Sequence, residues 1–143
     1  MQRNWGRAVV AGLVATVVMS LVGMFINPLL GLPASDTAKM LAGVMGGNLV
    51  LGWAGHLMIG VVLAIIYVLV VATFPGAPAV RGALYSLVPW LVAMVAVLPM
   101  MGMPAFGGSA APAIGSLVAH VVYGATLGAI YGLSPSDHGV TRV

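Results

Sequence analysis

The sequence contains no cysteine and no glutamate, and charged side chains make up only 5% of its 143 residues. The absence of cysteine excludes disulfides, thiolate metal sites and cysteine nucleophiles. Soluble domains carry about 25% charged residues, so a chain this poor in charge does not have a water-facing surface. The few basic residues form no basic face, which excludes nucleic-acid binding.

Long apolar runs take the place of the missing charge, since 62% of the residues are hydrophobic. A membrane-spanning helix needs about 20 such residues. The sequence offers four runs of this length, over about 7–26, 48–73, 81–101 and 112–133. The sequence therefore predicts an all-α integral membrane protein with a bundle of four transmembrane helices. The first run is too long for a typical signal peptide, and we expect it to be a retained helix.

The segments between and after these runs are short. Residues 35–46 are too few to span a bilayer, and Ser35 or Asp36 can cap a short helix there. We expect this helix to lie in the membrane interface. Residues 134–143 form a short polar tail, so 1–143 is predicted to be a single membrane domain.

The basic residues predict an orientation. In a four-span arrangement Arg3, Arg7, Arg81 and Arg142 fall on one side of the membrane, and only Lys39 falls on the other. Cytoplasmic loops carry the excess of lysine and arginine. Both termini are therefore expected in the cytoplasm.

A repeat relates the second and fourth runs. His56, Gly60 and Tyr67 recur 64 residues later in the series His120, Gly124 and Tyr131. Upstream, Arg7, Leu13 and Val14 align at an offset of 74 with Arg81, Leu87 and Val88. The chain is thus predicted to contain two parallel-repeat helical hairpins, 7–73 and 81–133, related by a pseudo-two-fold axis along the membrane normal.

Each repeated histidine interrupts a row of small residues. Positions four apart share a helix face, and the two rows are Gly52-His56-Gly60 and Ser116-His120-Gly124. Rows of small residues mark close contact between membrane helices, so both imidazoles are expected to point into the bundle.

Three interpretations of the histidines remain open. Hydrogen bonds to neighbouring helices give them a packing role. Alternatively His56 and His120 ligate one b-type haem, in a flat slot lined by Gly52, Gly60, Ser116 and Gly124. The third interpretation is copper, a soft ion that also suits thioether ligands such as Met100 and Met103, with Met101, Met40 and Met45 on the same side.

No catalytic constellation is present. A hydrolytic triad needs a carboxylate to orient its histidine, and the two acids, Asp36 and Asp137, lie outside the four runs. The sequence favours a non-enzymatic accessory or structural subunit that docks against other membrane proteins or forms a homo-oligomer. A small transporter or channel is the alternative, although the runs offer few polar residues for a path.

The opening Gly12-Leu13-Val14-Ala15-Thr16, followed by Met19, resembles small bacterial four-helix membrane proteins of unknown function. The Gly-x-x-x-His and His-x-x-x-Gly helices are similar to theirs too. The resemblance implies a bacterial inner-membrane location and no particular activity.

Overall fold

The computed structural model describes residues 3–132, and within them the chain is almost entirely helical. Its main helices are α1 (Trp5–Leu29), α2 (Thr37–Val44), α3 (Leu49–Thr73), α4 (Pro78–Met100) and α5 (Ala110–Gly132). The four long helices have 23 to 25 residues and are apolar enough to cross a membrane. At 1.5 Å per residue they are about 35 Å long, which exceeds a hydrocarbon core of about 30 Å. The predicted all-helical architecture with four long apolar helices is confirmed.

α1 runs past the point at which the sequence predicted its end. Asn27 and Pro28 continue the helix, and the five residues Val22–Ile26 before them adopt a π-helical turn. A proline ring clashes with the carbonyl four residues earlier in a regular α-helix. The wider π turn moves that carbonyl away, so Pro28 lies inside the helix without ending it.

α4 repeats this arrangement at its own end. A π turn over Ala93–Val97 precedes Pro99, and the helix ends at Met100. Its beginning also differs from the prediction, because α4 starts at Pro78 and not near Arg81. Proline is favourable in the first helical position, where its missing N–H has no partner to lose.

Polar side chains cap three helices at their N-termini. Asn4 accepts a hydrogen bond from the Arg7 N–H at 2.9 Å, and Asn48 accepts one from the Val50 N–H at 3.0 Å. Asp36 caps α2 by accepting from the Lys39 N–H at 2.9 Å. Of the two candidate caps for this short helix, the structure therefore uses Asp36 and not Ser35.

α1 packs along α3 and along α5, α5 packs most extensively along α4, and α2 lies against α3. The backbones of α3 and α4 lie farther apart, and tyrosine side chains join these two helices. We call the end that carries Arg3, Arg7 and Arg81 the basic end, and the end that carries α2 the α2 end.

Candidate functional site

The closest helix contact in the bundle joins α4 to α5 through glycine. A Cβ atom added to Gly82 would lie 2.8 Å from the Gly124 carbonyl carbon and 2.9 Å from the Gly128 nitrogen, closer than real Cβ atoms come. A Cβ on Gly124 would meet the Ser86 Cβ at 2.6 Å. The two backbones therefore touch directly, which only glycine permits at these positions.

α1 and α3 cross in the same way. A Cβ on Gly12 would lie 2.8 Å from the Ala64 Cβ and 2.9 Å from the Gly60 carbonyl oxygen, and Gly60 itself packs on Thr16. Gly12 and Thr16 thus make the contacts that Gly82 and Ser86 make in the second pair. The offset between these equivalent residues is 70, whereas the alignment of the two arginines used 74.

A further repeated motif, which was not predicted, lies at the α2 end. The segments Asn27-Pro-Leu-Leu-Gly-Leu-Pro33 and Leu98-Pro-Met-Met-Gly-Met-Pro104 match at an offset of 71. Both chains turn through a left-handed glycine, with φ of +73° at Gly31 and +77° at Gly102. After the glycine, the Leu32 N–H donates to the Asn27 carbonyl at 2.9 Å, and the Met103 N–H donates to the Leu98 carbonyl at 3.0 Å. The spacing of Pro and Gly alone could have revealed this repeat.

Asn27 is the most enclosed polar side chain at this end. It is fully buried, and its Nδ2 donates to the Gly115 carbonyl at 3.1 Å, so it ties α1 to α5. Its Oδ1 is buried with no hydrogen-bond partner among the described residues. The sequence places Asn27 just beyond the predicted first run, and an asparagine before a proline gives no sign of a buried amide.

His56 points into the bundle, as the row of small residues predicted. The residue is 5% exposed, and its Nε2 lies 3.1 Å from the Ser20 hydroxyl on α1. The Ser20 hydroxyl donates its one proton to the Thr16 carbonyl at 2.8 Å. The hydrogen-bond network therefore assigns the proton of the neutral His56 ring to Nε2, which donates to Ser20.

His120 makes its hydrogen bond within its own helix. Its Nδ1 lies 2.8 Å from the Ser116 carbonyl and 3.4 Å from the Ser116 hydroxyl. A carbonyl only accepts, so Nδ1 carries the proton in this contact. As a residue His120 is partly exposed, whereas His56 is buried. The two histidines occupy equivalent repeat positions but have different surroundings.

The geometry does not fit the haem slot that the sequence suggested. The space beside Gly52 is filled by α2, where the Ala42 Cβ would lie 2.9 Å from an added Cβ. The space beside Gly60 is filled by Thr16, and the space beside Gly124 by Ser86. Ser116 is bonded to His120. Neighbouring helices thus occupy the room that a flat macrocycle between the histidines requires.

An optical spectrum tests this conclusion. We expect the purified protein, oxidised or reduced, to show no Soret band, because a macrocycle would have to separate helices that are in backbone contact. Addition of haem to the purified protein serves as the control for loss during preparation. A Soret band that disappears in both His56→Ala and His120→Ala would restore the haem assignment.

The methionines proposed as copper ligands lie where the first half of the chain has leucines. Met100 is 86% exposed at the end of α4, and Met103 is half-buried in the following turn. In the repeated motif they correspond to Leu29 and Leu32. Leucine and methionine are both apolar side chains, so packing alone accounts for an apolar residue at these positions in each half. Within residues 3–132, no three His, Asp or Glu side chains come together as metal ligands would.

Two tyrosines join the second pair of helices to the first. Tyr123 on α5 donates to the Gly60 carbonyl at 2.6 Å, and Tyr85 on α4 donates to the Leu63 carbonyl at 2.8 Å. Tyr67 packs on Tyr85 and Tyr131, with ring centroids 5.2 and 6.0 Å apart. The repeat in the sequence contains Tyr67 and Tyr131, whereas Tyr85 and Tyr123 have no repeated counterpart and were not predicted.

Four long helices that are apolar enough to cross a membrane, and that meet through glycines and internal hydrogen bonds, indicate a multi-pass helical membrane protein. Comparison with protein families places the chain more narrowly. Residues 2–140 match the model of a family of unknown function, DUF6789, and the chain belongs to this family. The expected resemblance to proteins of unknown function is thereby confirmed. No curated protein and no solved structure matches the chain.

Proposed function

We propose that the protein is a non-enzymatic accessory or structural subunit that docks against other membrane proteins. The observation that carries the proposal is the position of the three most exposed large apolar side chains. Met100 is 86% exposed, Leu29 81% and Val50 77%. They stand at the α2 end on three different helices, where side chains project beyond the packed bundle.

The polar groups inside the bundle support a structural role. Three hydrogen bonds join helices: His56 bonds to Ser20 on α1, and Tyr85 and Tyr123 donate to carbonyls of α3. Ser20 in turn donates to the Thr16 carbonyl of its own helix. Asp36 is the one acid among the described residues, and it caps α2 outside the long helices. A transporter or channel needs a polar path, whereas these side chains are engaged with one another or with backbone carbonyls.

The glycines at the helix crossings do not form the docking face, because Gly12, Gly60, Gly82 and Gly124 are all in contact within the bundle. The outward side chains are mostly large and branched. A partner would therefore pack against projecting Leu, Val and Met side chains.

The basic residues support an orientation for the proposed subunit. Arg3, Arg7 and Arg81 lie at the end that also holds the start of α1 and the end of α5, and Lys39 lies at the other. By the positive-inside rule both termini face the cytoplasm and the α2 end faces outward, in the inner membrane of a bacterial cell. The equivalent glycine crossings support two parallel-repeat hairpins as the basis of the bundle.

The mass of the protein in a mild detergent tests the proposal. We expect it to exceed that of the 14.5 kDa chain, through a co-purifying membrane protein or a second copy. Leu29→Glu and Met100→Glu are expected to return the mass to that of the monomer, because a carboxylate on a projecting side chain disrupts docking without entering the core. Val80→Glu, the same change at an exposed apolar side chain near a helix end but at the basic end of the bundle, is the control for general disturbance. A stable monomer in the wild type would contradict the proposal.

A further inference from the structure

The basic end of the bundle carries two arginines that are only partly accessible to water. Arg7 is half-buried, and its Nε donates to the Ile130 carbonyl in the last turn of α5 at 2.7 Å. Arg81 is half-buried too, and its Nε is enclosed with no hydrogen-bond partner among the described residues. Lys39, at the other end, is exposed and can be hydrated freely.

Both arginines lie beside the last two turns of α5. The residue after Arg81, Gly82, is in backbone contact with Gly128 of α5, and Pro78 packs on Gly132. Arg7 reaches Ile130, which lies between these two α5 contacts. The Arg7 side chain and the backbone of α4 next to Arg81 therefore meet the same short stretch of α5, which places both arginines at this end of the bundle.

The backbone adds positive potential at the same place. Arg81 lies in the first turn of α4, whose N-cap, Ala77, provides no side-chain acceptor. The N-terminus of a helix carries a partial positive charge, so a cation in the first turn is unfavourable unless an anion lies nearby. Within residues 3–132 the one acid is Asp36, and it lies at the far end of the bundle. The described chain supplies no counter-charge for the two arginines.

We propose that Arg7 and Arg81 bind the phosphate of an anionic phospholipid at the basic end of the bundle. Guanidinium groups present planar pairs of donors that match phosphate oxygens. Half-buried cations without a counter-ion are costly, and a headgroup phosphate at the bilayer surface is the anion that this end of a membrane helix meets. By the proposed orientation it belongs to the cytoplasmic leaflet, where anionic lipids attract basic residues.

Native mass spectrometry of the delipidated protein with added lipid tests this site. We expect phosphatidylglycerol to occupy the wild type more than phosphatidylcholine at equal concentration, and the preference to fall as salt rises. Arg7→Gln and Arg81→Gln should each lower the affinity for phosphatidylglycerol about fivefold, the effect of one arginine near an anionic surface. Lys39→Gln removes the same charge at the other end and should change it less than about twofold.

Further comparisons distinguish the source of the phosphate and exclude other occupants. Arg81→Lys keeps the charge and should retain most of the lipid preference. Inorganic phosphate at millimolar concentration should not displace the lipid; displacement would indicate a site for free anions and overturn the proposal. Equal occupancy by the two lipids in the wild type also overturns it, whether or not the variants fold. Increased lipid occupancy in Asp137→Asn would also overturn the proposal, because it would show that the Asp137 carboxylate pairs with the arginines.

Discussion

Gly82→Ala is expected to destabilise the protein by about 1–3 kcal/mol, the range for overfilling a packed core. The added methyl group would meet the carbonyl of Gly124 on the facing helix, and backbone atoms cannot turn aside as a side chain can. Because membrane helices associate mainly through close packing, separation of α4 from α5 removes the interaction that holds them together. Unfolding in detergent, followed by circular dichroism, measures the loss.

Gly43→Ala is the matched control for this substitution. Gly43 lies in α2, and an added Cβ there has no neighbour within 4 Å. Alanine is the better helix former by about 1 kcal/mol, so the control should leave stability unchanged or raise it slightly. If Gly82→Ala were as stable as Gly43→Ala, the direct contact between α4 and α5 would be wrong.

Tyr123→Ala is expected to destabilise the bundle by about 2–3 kcal/mol, somewhat below the 3–5 kcal/mol for a buried aromatic in a soluble core. Tyr123 is 1% exposed and packs in the core with Leu127 and Ala119. Its removal leaves a cavity at the junction of the two helix pairs. The value is below the soluble range because lipid is as apolar as the protein core, so that mainly packing is lost.

Tyr123→Phe separates the hydroxyl from the ring. It removes only the donor to the Gly60 carbonyl, and hydrogen bonds between membrane helices contribute about 0.6 kcal/mol on average. Stability should therefore rank wild type, Tyr123→Phe and Tyr123→Ala in falling order. A phenylalanine variant as unstable as the alanine variant would show that the hydroxyl, and not the ring, dominates this contact.

Composition and periodicity were enough to predict the architecture. Low charge and four long apolar runs predicted a bundle of long apolar helices. The row of small residues correctly predicted that His56 points into the bundle. Both signals depend on averages over many residues or on one helix at a time. The ends of α1 and α4 were less well predicted, because the π turns before Pro28 and Pro99 depend on local backbone geometry.

The partners of individual residues were beyond the sequence. A small residue beside a histidine leaves space, but the sequence does not say what fills that space. At Gly60 the space is filled by Thr16 of another helix, and at Gly52 by α2. The predicted haem slot depended on these spaces being open, and the sequence does not say which helices are neighbours. The buried amide of Asn27 was missed for the same reason.

Cysteine labelling in cells tests most directly whether the bundle crosses the membrane as described. The natural chain has no cysteine, so each substitution introduces a single thiol. Gly43 in α2 and Ala77 before α4 are both exposed, uncharged and at opposite ends of the bundle. We expect a membrane-impermeant maleimide to label Gly43→Cys in intact cells and Ala77→Cys only after the membrane is opened. Labelling of both in intact cells, or of Ala77→Cys alone, would contradict the account.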